Sequence, residues 1–330
     1  MLFAPSVRKD RGRFSFERGF DMIQRPMDVL HQFPVRKTKK QKQAFRDAVC
    51  AYAESLGYKC TVERKSLSCQ NVIFGDPENS KYLVTAHYDT CANMPLPNFI
   101  TPCNVALYLL YQLGLVFLLI IASVTIGVAA GFLFGDGAVK WISLAVYWIL
   151  LLLLILGPAN KSNANDNTSG VVTLLEILRT MPENQRHKVC FVLFDLEEAG
   201  LIGSSFYRSR HRKASDRQIV LNLDCVGDGD HLKMFPTKKL KKDRRKLTSL
   251  YRACGYFGKK SLTVHEKGFA IYPSDQMVFP YGVGICALRK HKFGLYVGKI
   301  HTSKDTVLEE TNVNILRAAL TSFICCDAAQ

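Results

Sequence analysis

The sequence predicts an α/β fold: a three-layer α/β/α sandwich around a mixed, mostly parallel sheet, with an inserted two-helix transmembrane hairpin. Two observations favour this fold class. Short apolar runs typical of buried strands alternate along the chain with longer segments typical of helices. Between residues 90 and 160, in contrast, the only acidic or basic side chains are Asp136 and Lys140. We therefore expect a polar α/β domain interrupted by an apolar block.

The part of the chain before the apolar block predicts one helix and three strands. An amphipathic pattern over 38–57 predicts the helix. The segments 60–64 and 71–74 predict short strands, and the continuous apolar run 82–86 is typical of a strand that is buried on both faces.

The apolar block contains two stretches without charge, 105–134 and 141–157. As helices they would be roughly 45 Å and 25 Å long, and the hydrocarbon core of a bilayer is about 30 Å thick. Neither stretch has the polar stripe that helices in a soluble core normally carry. The pattern favours a membrane hairpin, surrounded by lipid, over a pair of buried core helices.

A hairpin returns the chain to the side that it left, so both polar parts are expected on one side of the membrane. These parts are rich in Lys and Arg, whereas the turn between the two stretches has one acid and one base. The bias of basic residues predicts a multi-pass protein whose polar domain and two termini are cytoplasmic.

The chain after the apolar block continues the alternation of helices and strands. The predicted helices are 169–179, 202–210, 238–253 and 313–325, and the predicted strands are 189–194, 219–223, 262–264 and 283–288. We divide the chain into a basic N-terminal segment, 1–37, one domain made of 38–98 and 160–330, and the hairpin insertion, 99–159.

Length and composition exclude two classes of protein. With 330 residues, 48% of them apolar, and a net charge of +16, the chain is neither disordered nor a small disulfide scaffold. Eleven cysteines without a Cys-x-x-Cys pair, after a basic start that lacks an apolar signal-peptide region, predict a reduced, cytosol-facing protein.

The basic run 238–246 is interpreted as a solvated helix face, with contact to anionic lipid headgroups as the alternative. No zinc-finger spacing accompanies it, and nucleic acid is not expected as a partner.

Acidic residues and histidines follow predicted strand ends, or begin predicted helices, in five separate segments. In sheets of this kind, ligands collect at the carboxyl ends of the strands. Each segment has an ordinary alternative interpretation, such as a helix cap, a helix-dipole partner or a turn. The residues are His87 with Asp89, Asp166, Glu197 with Glu198, Asp224, and His301.

Taken together and in order, these segments resemble the co-catalytic di-zinc aminopeptidases, metallopeptidase family twenty-eight. The resemblance covers the polar chain from about residue 38 to 328, which makes its domain a zinc peptidase catalytic domain. It implies that His87 and Asp224 hold one Zn²⁺, that Glu198 and His301 hold a second, and that Asp166 bridges both. Each zinc then has three protein ligands and one open position, as catalytic zinc sites require.

The resemblance also implies a reaction. A metal-bridging hydroxide would attack the scissile carbonyl, with Glu197 as general base, while Asp89 would orient the ring of His87. The substrates would be peptides with a free N-terminus, from which the enzyme removes the first residue. The expected protein is thus a membrane-anchored metallo-exopeptidase.

The sequence departs from the family pattern in two places. Relatives commonly have a histidine that faces the substrate where this chain has Gln276, shortly before Phe279, and we expect both residues to contact substrate. The 79 positions between His87 and Asp166 contain the hairpin, whereas relatives have a short loop there.

Two other functions remain open. A glutaminyl cyclase-like aminoacyltransferase would have the same fold with one zinc, and a non-catalytic membrane scaffold would have lost its metal ligands. The complete set of candidate ligands, and the Asn165 and Asn167 that flank Asp166, favour the peptidase.

Overall fold

The structure is a computed structural model that describes residues 23–66 and 69–326. A large mixed sheet carries helices on both faces, so the predicted fold class is confirmed. Residues 1–22 of the predicted N-terminal segment, and the last four residues of the predicted domain, lie outside the described ranges.

The α-helices are α1 (Asp28–Gln32), α2 (Lys39–Ser55), α3 (Val105–Phe134), α4 (Asp136–Leu156), α5 (Gly170–Thr180), α6 (Ile202–Arg210), α7 (Arg212–Ser215), α8 (Lys238–Lys242), α9 (Arg244–Leu250) and α10 (Glu310–Cys325). The strands are β1 (Cys60–Arg64), β2 (Gln70–Phe74), β3 (Tyr82–His87), β4 (Phe99–Ile100), β5 (Val189–Phe194), β6 (Ile219–Leu223), β7 (His231–Pro236), β8 (Gly255–Phe257), β9 (Lys260–Val264), β10 (Gly282–His291) and β11 (Gly294–Gly298).

The strand order of the sheet is β1-β2-β5-β3-β6-β10-β7-β9-β8, with β11 paired to β10 and β4 paired to β11. The four central strands β5, β3, β6 and β10 are parallel to one another, whereas antiparallel pairs lie towards both edges. The carboxyl ends of β5, β3 and β6 therefore meet at one edge of the sheet, where the predicted functional residues follow them.

The core lies on both faces of the sheet. Side chains of β2 alternate between the faces: Val72 and Phe74 pack with α2, α5 and α10, and Ile73 packs into a second cluster with Tyr207 of α6. All of these side chains are at most 3% exposed. The largely apolar central strands thus have helices on both sides, as buried parallel strands require.

Some predicted elements differ from the structure in their bounds. The predicted helix 238–253 is broken at Asp243, whose side chain accepts a hydrogen bond from the amide of Lys246 and begins a new helix there. The sequence pattern did not predict β4, β7, β8 and β11, of which β4 and β8 are only two and three residues long.

The structure contains one difference from the expectation of fully reduced cysteines. Cys50, in α2, and Cys60, the first residue of β1, form a disulfide with an S–S distance of 2.08 Å. Their Cα atoms lie 5.5 Å apart, within the usual range for a disulfide, because β1 returns along the end of α2. The spacing of ten residues between Cys50 and Cys60 in the sequence does not by itself predict the disulfide.

The apolar block forms the antiparallel helix pair α3 and α4, whose 30 and 21 residues are long and apolar enough to cross a membrane. Most of their side chains are exposed. The buried positions of α3 are Ser123, Gly127 and Gly131, which recur every four residues on one face. A side chain at Gly127 would collide with Ser143 of α4, so the two backbones approach closely there. Small residues at such spacing are typical of packed membrane helices.

This close approach predicts that Gly127→Leu weakens the packing of the helix pair. Overpacking of this kind typically costs about 1–3 kcal/mol, and we expect a lower melting temperature of the detergent-purified protein. Gly114→Leu is the matched control, because no atom lies within 4 Å of a Cβ at Gly114 on the same helix. Equal melting temperatures for the two variants would contradict the packing assigned to Gly127.

Candidate metal centre

The candidate site lies at the carboxyl ends of the central strands. His87 is the last residue of β3, Asp224 follows β6, and Glu197 and Glu198 lie in the turn after β5. Asp166 precedes α5, and His301 follows β11. The structure brings all of these candidates together, although they come from five separate segments.

Asp166 lies at the centre of the group, with its two carboxylate oxygens facing different histidines. Its Oδ1 is 3.2 Å from Nε2 of His87, and its Oδ2 is 3.0 Å from Nε2 of His301. Asp224 Oδ1 lies 3.7 Å from the same nitrogen of His87, and Glu198 Oε2 lies 3.3 Å from that of His301. The site thus has two halves that share one carboxylate.

Asp89 connects the histidine of one half to the turn that carries both glutamates. Its Oδ1 lies 3.4 Å from Nδ1 of His87, on the side of the ring away from Asp166. The same carboxylate accepts hydrogen bonds from the backbone amides of Glu197 (3.1 Å) and Glu198 (3.3 Å). Asp89 therefore lies against the ring of His87 and holds the glutamate turn by two backbone hydrogen bonds.

The donor atoms suit metal binding. Three groups of three residues could each hold a metal ion, because one ligand atom from every residue lies within 4.8 Å of the other two. These groups are His87 with Asp166 and Asp224, His87 with Glu197 and Glu198, and Cys91 with Glu198 and His301. Asp224 Oδ1 and Glu198 Oε1 are buried and accept no hydrogen bond from the described residues. A buried carboxylate oxygen without a partner is costly, and a cation supplies that partner. Imidazole and carboxylate are also ordinary ligands of zinc.

The electrostatics of the site reflect crowded acidic groups. Burial raises the pKa of Glu198 to about 8 and raises that of Glu197 well above its ordinary value. Burial lowers the pKa of His301, but the charges of Glu198 and Asp166 outweigh it and raise the value to about 9. Without a metal, the site therefore retains protons near neutral pH, and cations that bind there displace them.

Asp305 positions Asp166 and was not recognised from the sequence. Its two carboxylate oxygens accept the backbone amides of Asn165 (2.8 Å) and Asp166 (3.0 Å). Burial raises the pKa of Asp305 to about 7. An acid four residues after His301 could have been suspected, but its partners lie about 140 positions away in the chain.

Asn167 joins the end of β6 to the start of α5. Its amide group donates to the carbonyl oxygen of Leu223 at 2.9 Å, and its Oδ1 accepts from the amides of Gly170 (3.1 Å) and Cys225 (3.2 Å). A side chain at Gly170 would collide with both Asn167 and Leu223, so glycine is required at the start of α5.

Arg36 is another buried residue that no pattern in the sequence singles out. Its side chain donates to the carbonyl oxygens of Tyr88 (2.6 Å) and Phe33 (2.7 Å) and to Oγ1 of Thr168 (3.2 Å). Burial lowers its pKa to about 10. This single cation therefore connects the segments that carry His87 and Asp166.

Backbone strain is concentrated around the site. Among the described residues other than glycine, those with positive φ are Leu196, Leu201, Cys225, Lys299 and His301. Leu196 and Leu201 lie on either side of Glu197 and Glu198, Cys225 follows Asp224, and Lys299 lies two residues before His301. Left-handed backbone in larger residues is costly and often marks functional segments.

The two predicted substrate contacts, Phe279 and Gln276, are both buried. Phe279 is 2% exposed and packs in the core against Phe194 and Tyr207, because the chain turns inward after the short helical turn at 275–278. Gln276 is also buried: its Oε1 accepts from Asn222 at 3.1 Å, and its amide donates to the carbonyl of Tyr272 at 2.6 Å. Both arrangements favour structural roles.

Comparisons with known proteins agree with this fold. The sequence pattern of Peptidase family M28 matches residues 151–322. The structure resembles a Zn-dependent exopeptidase from Parabacteroides distasonis, with a TM-score of 0.58, 17% identity and coverage of 91% of this chain and 94% of that one. It also resembles the glutaminyl cyclase of Porphyromonas gingivalis, with a TM-score of 0.56, 15% identity and coverage of 92% and 97%.

The similar structures give the fold of this chain, and the sequence match gives its family. The fold is that of zinc-dependent exopeptidases and glutaminyl cyclases. The family match covers more than half of the chain, and the chain belongs to Peptidase family M28. The resemblance recognised from the sequence is therefore confirmed. No curated protein sequence matches this chain.

The support of Asp166 by Asp305 predicts that Asp305→Ala destabilises the protein. Two buried backbone amides lose their acceptor, at about 1–3 kcal/mol for each. Urea unfolding of the detergent-purified protein measures the loss. Asp216→Ala is the control, since it breaks only a half-exposed ion pair with Arg208 and should change stability little. An Asp305→Ala protein as stable as the control variant would show that Asp305 does not support the loop.

Proposed function

We propose that this protein is a membrane-anchored, zinc-dependent aminopeptidase with two zinc ions. The observation that carries the proposal is the position of Asp166, whose two oxygens face His87 and His301 from between them. A carboxylate in this position suits a bridge between two cations. Family membership supports zinc, and the exopeptidase among the similar structures supports the reaction class.

The proposed ligands are His87 and Asp224 for one zinc, Glu198 and His301 for the other, and Asp166 for both. Zinc bound at such a site lowers the pKa of a coordinated water and polarises the carbonyl group of a substrate. A coordination position that the protein ligands leave open would accept the attacking water or the scissile carbonyl of the substrate.

The side chains around the ligands have separate roles in this proposal. Glu197 is the general base: its carboxylate takes a proton from the attacking water and passes it to the amine that leaves. Asp89 holds His87 by its Nδ1 and holds the glutamate turn by two backbone amides. Because one carboxylate sets both positions, the base and the histidine keep a constant separation.

A glutaminyl cyclase-like activity is the second candidate, because glutaminyl cyclases from several organisms have similar structures. Such an enzyme would cyclise an N-terminal glutamine rather than cleave the bond after it. The two complete halves of the site favour the peptidase. A scaffold without catalysis is less well supported, since no candidate ligand has been replaced.

Membrane anchoring by α3 and α4 is also part of the proposal. The end of α4 is bound to the catalytic domain close to the site: Lys37 Nζ donates to the carbonyl of Ile155 at 3.3 Å, and the amide of Asn93 donates to that of Pro158 at 2.8 Å. The centre would thus lie near the bilayer surface. Its substrates would be small peptides near the membrane or the N-termini of membrane proteins.

The test is an assay of detergent-purified protein with analysed metal content. We expect about two zinc ions per chain and release of N-terminal residues from a panel of aminoacyl substrates. Glu197→Gln should keep both zinc ions and lower turnover by about 10²–10⁴-fold, because only the proton transfer is lost. His301→Ala, in contrast, should lose zinc as well as rate.

Each result assigns the function. Cyclisation of an N-terminal glutamine substrate without cleavage would favour the cyclase. Full turnover of Glu197→Gln would remove this residue from the mechanism. A zinc-loaded protein without either activity would favour the scaffold.

The proposed cytoplasmic orientation makes a separate prediction. A cysteine at Gly137, in the first turn of α4, should react with a membrane-impermeant maleimide from outside intact cells. Cysteines at Lys161 and Lys304, both exposed on the catalytic domain, should not. The parent in this experiment has the native cysteines replaced.

Two outcomes would contradict this topology. Labelling at Lys161 from outside would reverse the orientation and place the Cys50–Cys60 disulfide in an oxidising compartment, where such bonds persist. Full solubility of the wild-type protein without detergent would exclude the membrane hairpin.

A further inference from the structure

Cys91 is a buried thiol that the proposed mechanism does not use. It lies four residues after His87 and is 1% exposed. Its Sγ and one ligand atom each of Glu198 and His301 all lie within 4.8 Å of one another. Other buried free cysteines, Cys69, Cys190, Cys225 and Cys286, belong to no such group among the described residues. The position of this thiol is therefore specific to one half of the site.

The backbone around Cys91 is held from three directions. Its carbonyl oxygen accepts the amide of Asn160 at 3.0 Å, just after the helix pair. Oγ1 of the preceding Thr90 accepts the side-chain amide of Asn163 at 2.9 Å. Three residues on, the amide of Met94 donates to the carbonyl oxygen of His301 at 2.6 Å. Cys91 is thus fixed to the segment that carries the histidine beside it.

The unpartnered oxygens point to a cation in the same place. Glu198 Oε1, in the half that contains Cys91, is buried and accepts no hydrogen bond from the described residues. Asp224 Oδ1, in the other half, is in the same situation, and its residue is 6% exposed. One unmatched acceptor in each half suits a cation bound in each.

We propose that the Cys91 thiolate is a further protein ligand of the zinc held by Glu198 and His301. This inference rests on the zinc ions of the proposed function. With the shared Asp166, that zinc has four protein ligands, which is the closed tetrahedral arrangement of structural zinc sites. The zinc of His87 and Asp224 keeps its open position. The two ions are then unequal, and the open one provides the position for water and substrate.

The charges of the ligands agree with this assignment. Two zinc ions bring four positive charges, the carboxylates of Asp166, Glu198 and Asp224 remove three of them, and a thiolate removes the fourth. Thiolate is also a soft ligand, which favours zinc over magnesium, calcium or manganese in that half.

X-ray absorption at the zinc edge tests this bond directly. In wild-type protein with two zinc ions per chain, we expect a zinc–sulfur distance of about 2.3 Å, with one sulfur for every two zinc ions, besides the shorter zinc–nitrogen and zinc–oxygen distances. Cys91→Ser should lose the sulfur signal and bind one of its two zinc ions more weakly. Cys225→Ser is the matched control: this buried cysteine lies next to Asp224 and should leave the signal unchanged.

A second measurement uses the wild-type protein and so does not depend on the folding of a variant: when loaded with Co²⁺, it should show thiolate-to-cobalt charge-transfer absorption. As a separate control, Cys91→Ala should abolish that absorption. Two bound zinc ions without a sulfur neighbour in the wild-type protein would overturn the proposal for Cys91 and leave the proposed function intact. A sulfur signal that persists in folded Cys91→Ser would overturn it as well. A folded wild-type protein that binds no zinc would instead overturn the proposed function.

Discussion

The crowding of carboxyl groups at one edge of the sheet is the constraint on which the rest of the site depends. Asp89, Asp166, Glu198 and Asp224 gather around two histidines, and burial raises the free energy of their charged forms. Two imidazoles do not balance four carboxylates, so the metal-free site retains protons, and a cation bound among the acids would stabilise their charged forms. The neighbouring supports are of the same kind. Backbone amides donate to Asp89 and Asp305, while Lys42 lies 2.5 Å from the buried Asp195 at the start of the glutamate turn.

The long insertion leaves this arrangement intact because both of its ends are hydrogen-bonded to the domain. Residues 91–93 pair with 158–160 through backbone hydrogen bonds and the isolated bridge between Ala92 and Ala159. Nearer to α3, β4 pairs with β11, the strand that leads to His301. The insertion therefore enters and leaves beside the site, and the segments of His87 and Asp166 meet as they would across a short loop. The same contacts bring the two apolar helices α3 and α4 close to the candidate metal centre.

How far the sequence predicts the fold depends on whether a segment is buried on both faces. The segments 82–86, 189–194 and 219–223 are almost entirely apolar because helices cover them on both sides, and each is a central strand within a residue of its predicted bounds. Strands β4 and β8 escaped prediction because two or three residues are too short for a period to be visible. The break at Asp243 escaped because a helix cap within a basic run resembles an ordinary polar helix position.

The sequence by itself determined the fold class, the apolar helix pair and the candidate residues from His87 to His301, because each lies beside a local signal such as a strand end or a helix start. Only the tertiary structure decided which carboxylate oxygen faces which histidine, and that Phe279 packs in the core. It also decided the roles of Asp305, Asn167 and Arg36 and the place of Cys91 beside Glu198. These depend on contacts between residues that lie from tens of positions to more than one hundred apart, and such contacts leave no local pattern in the chain.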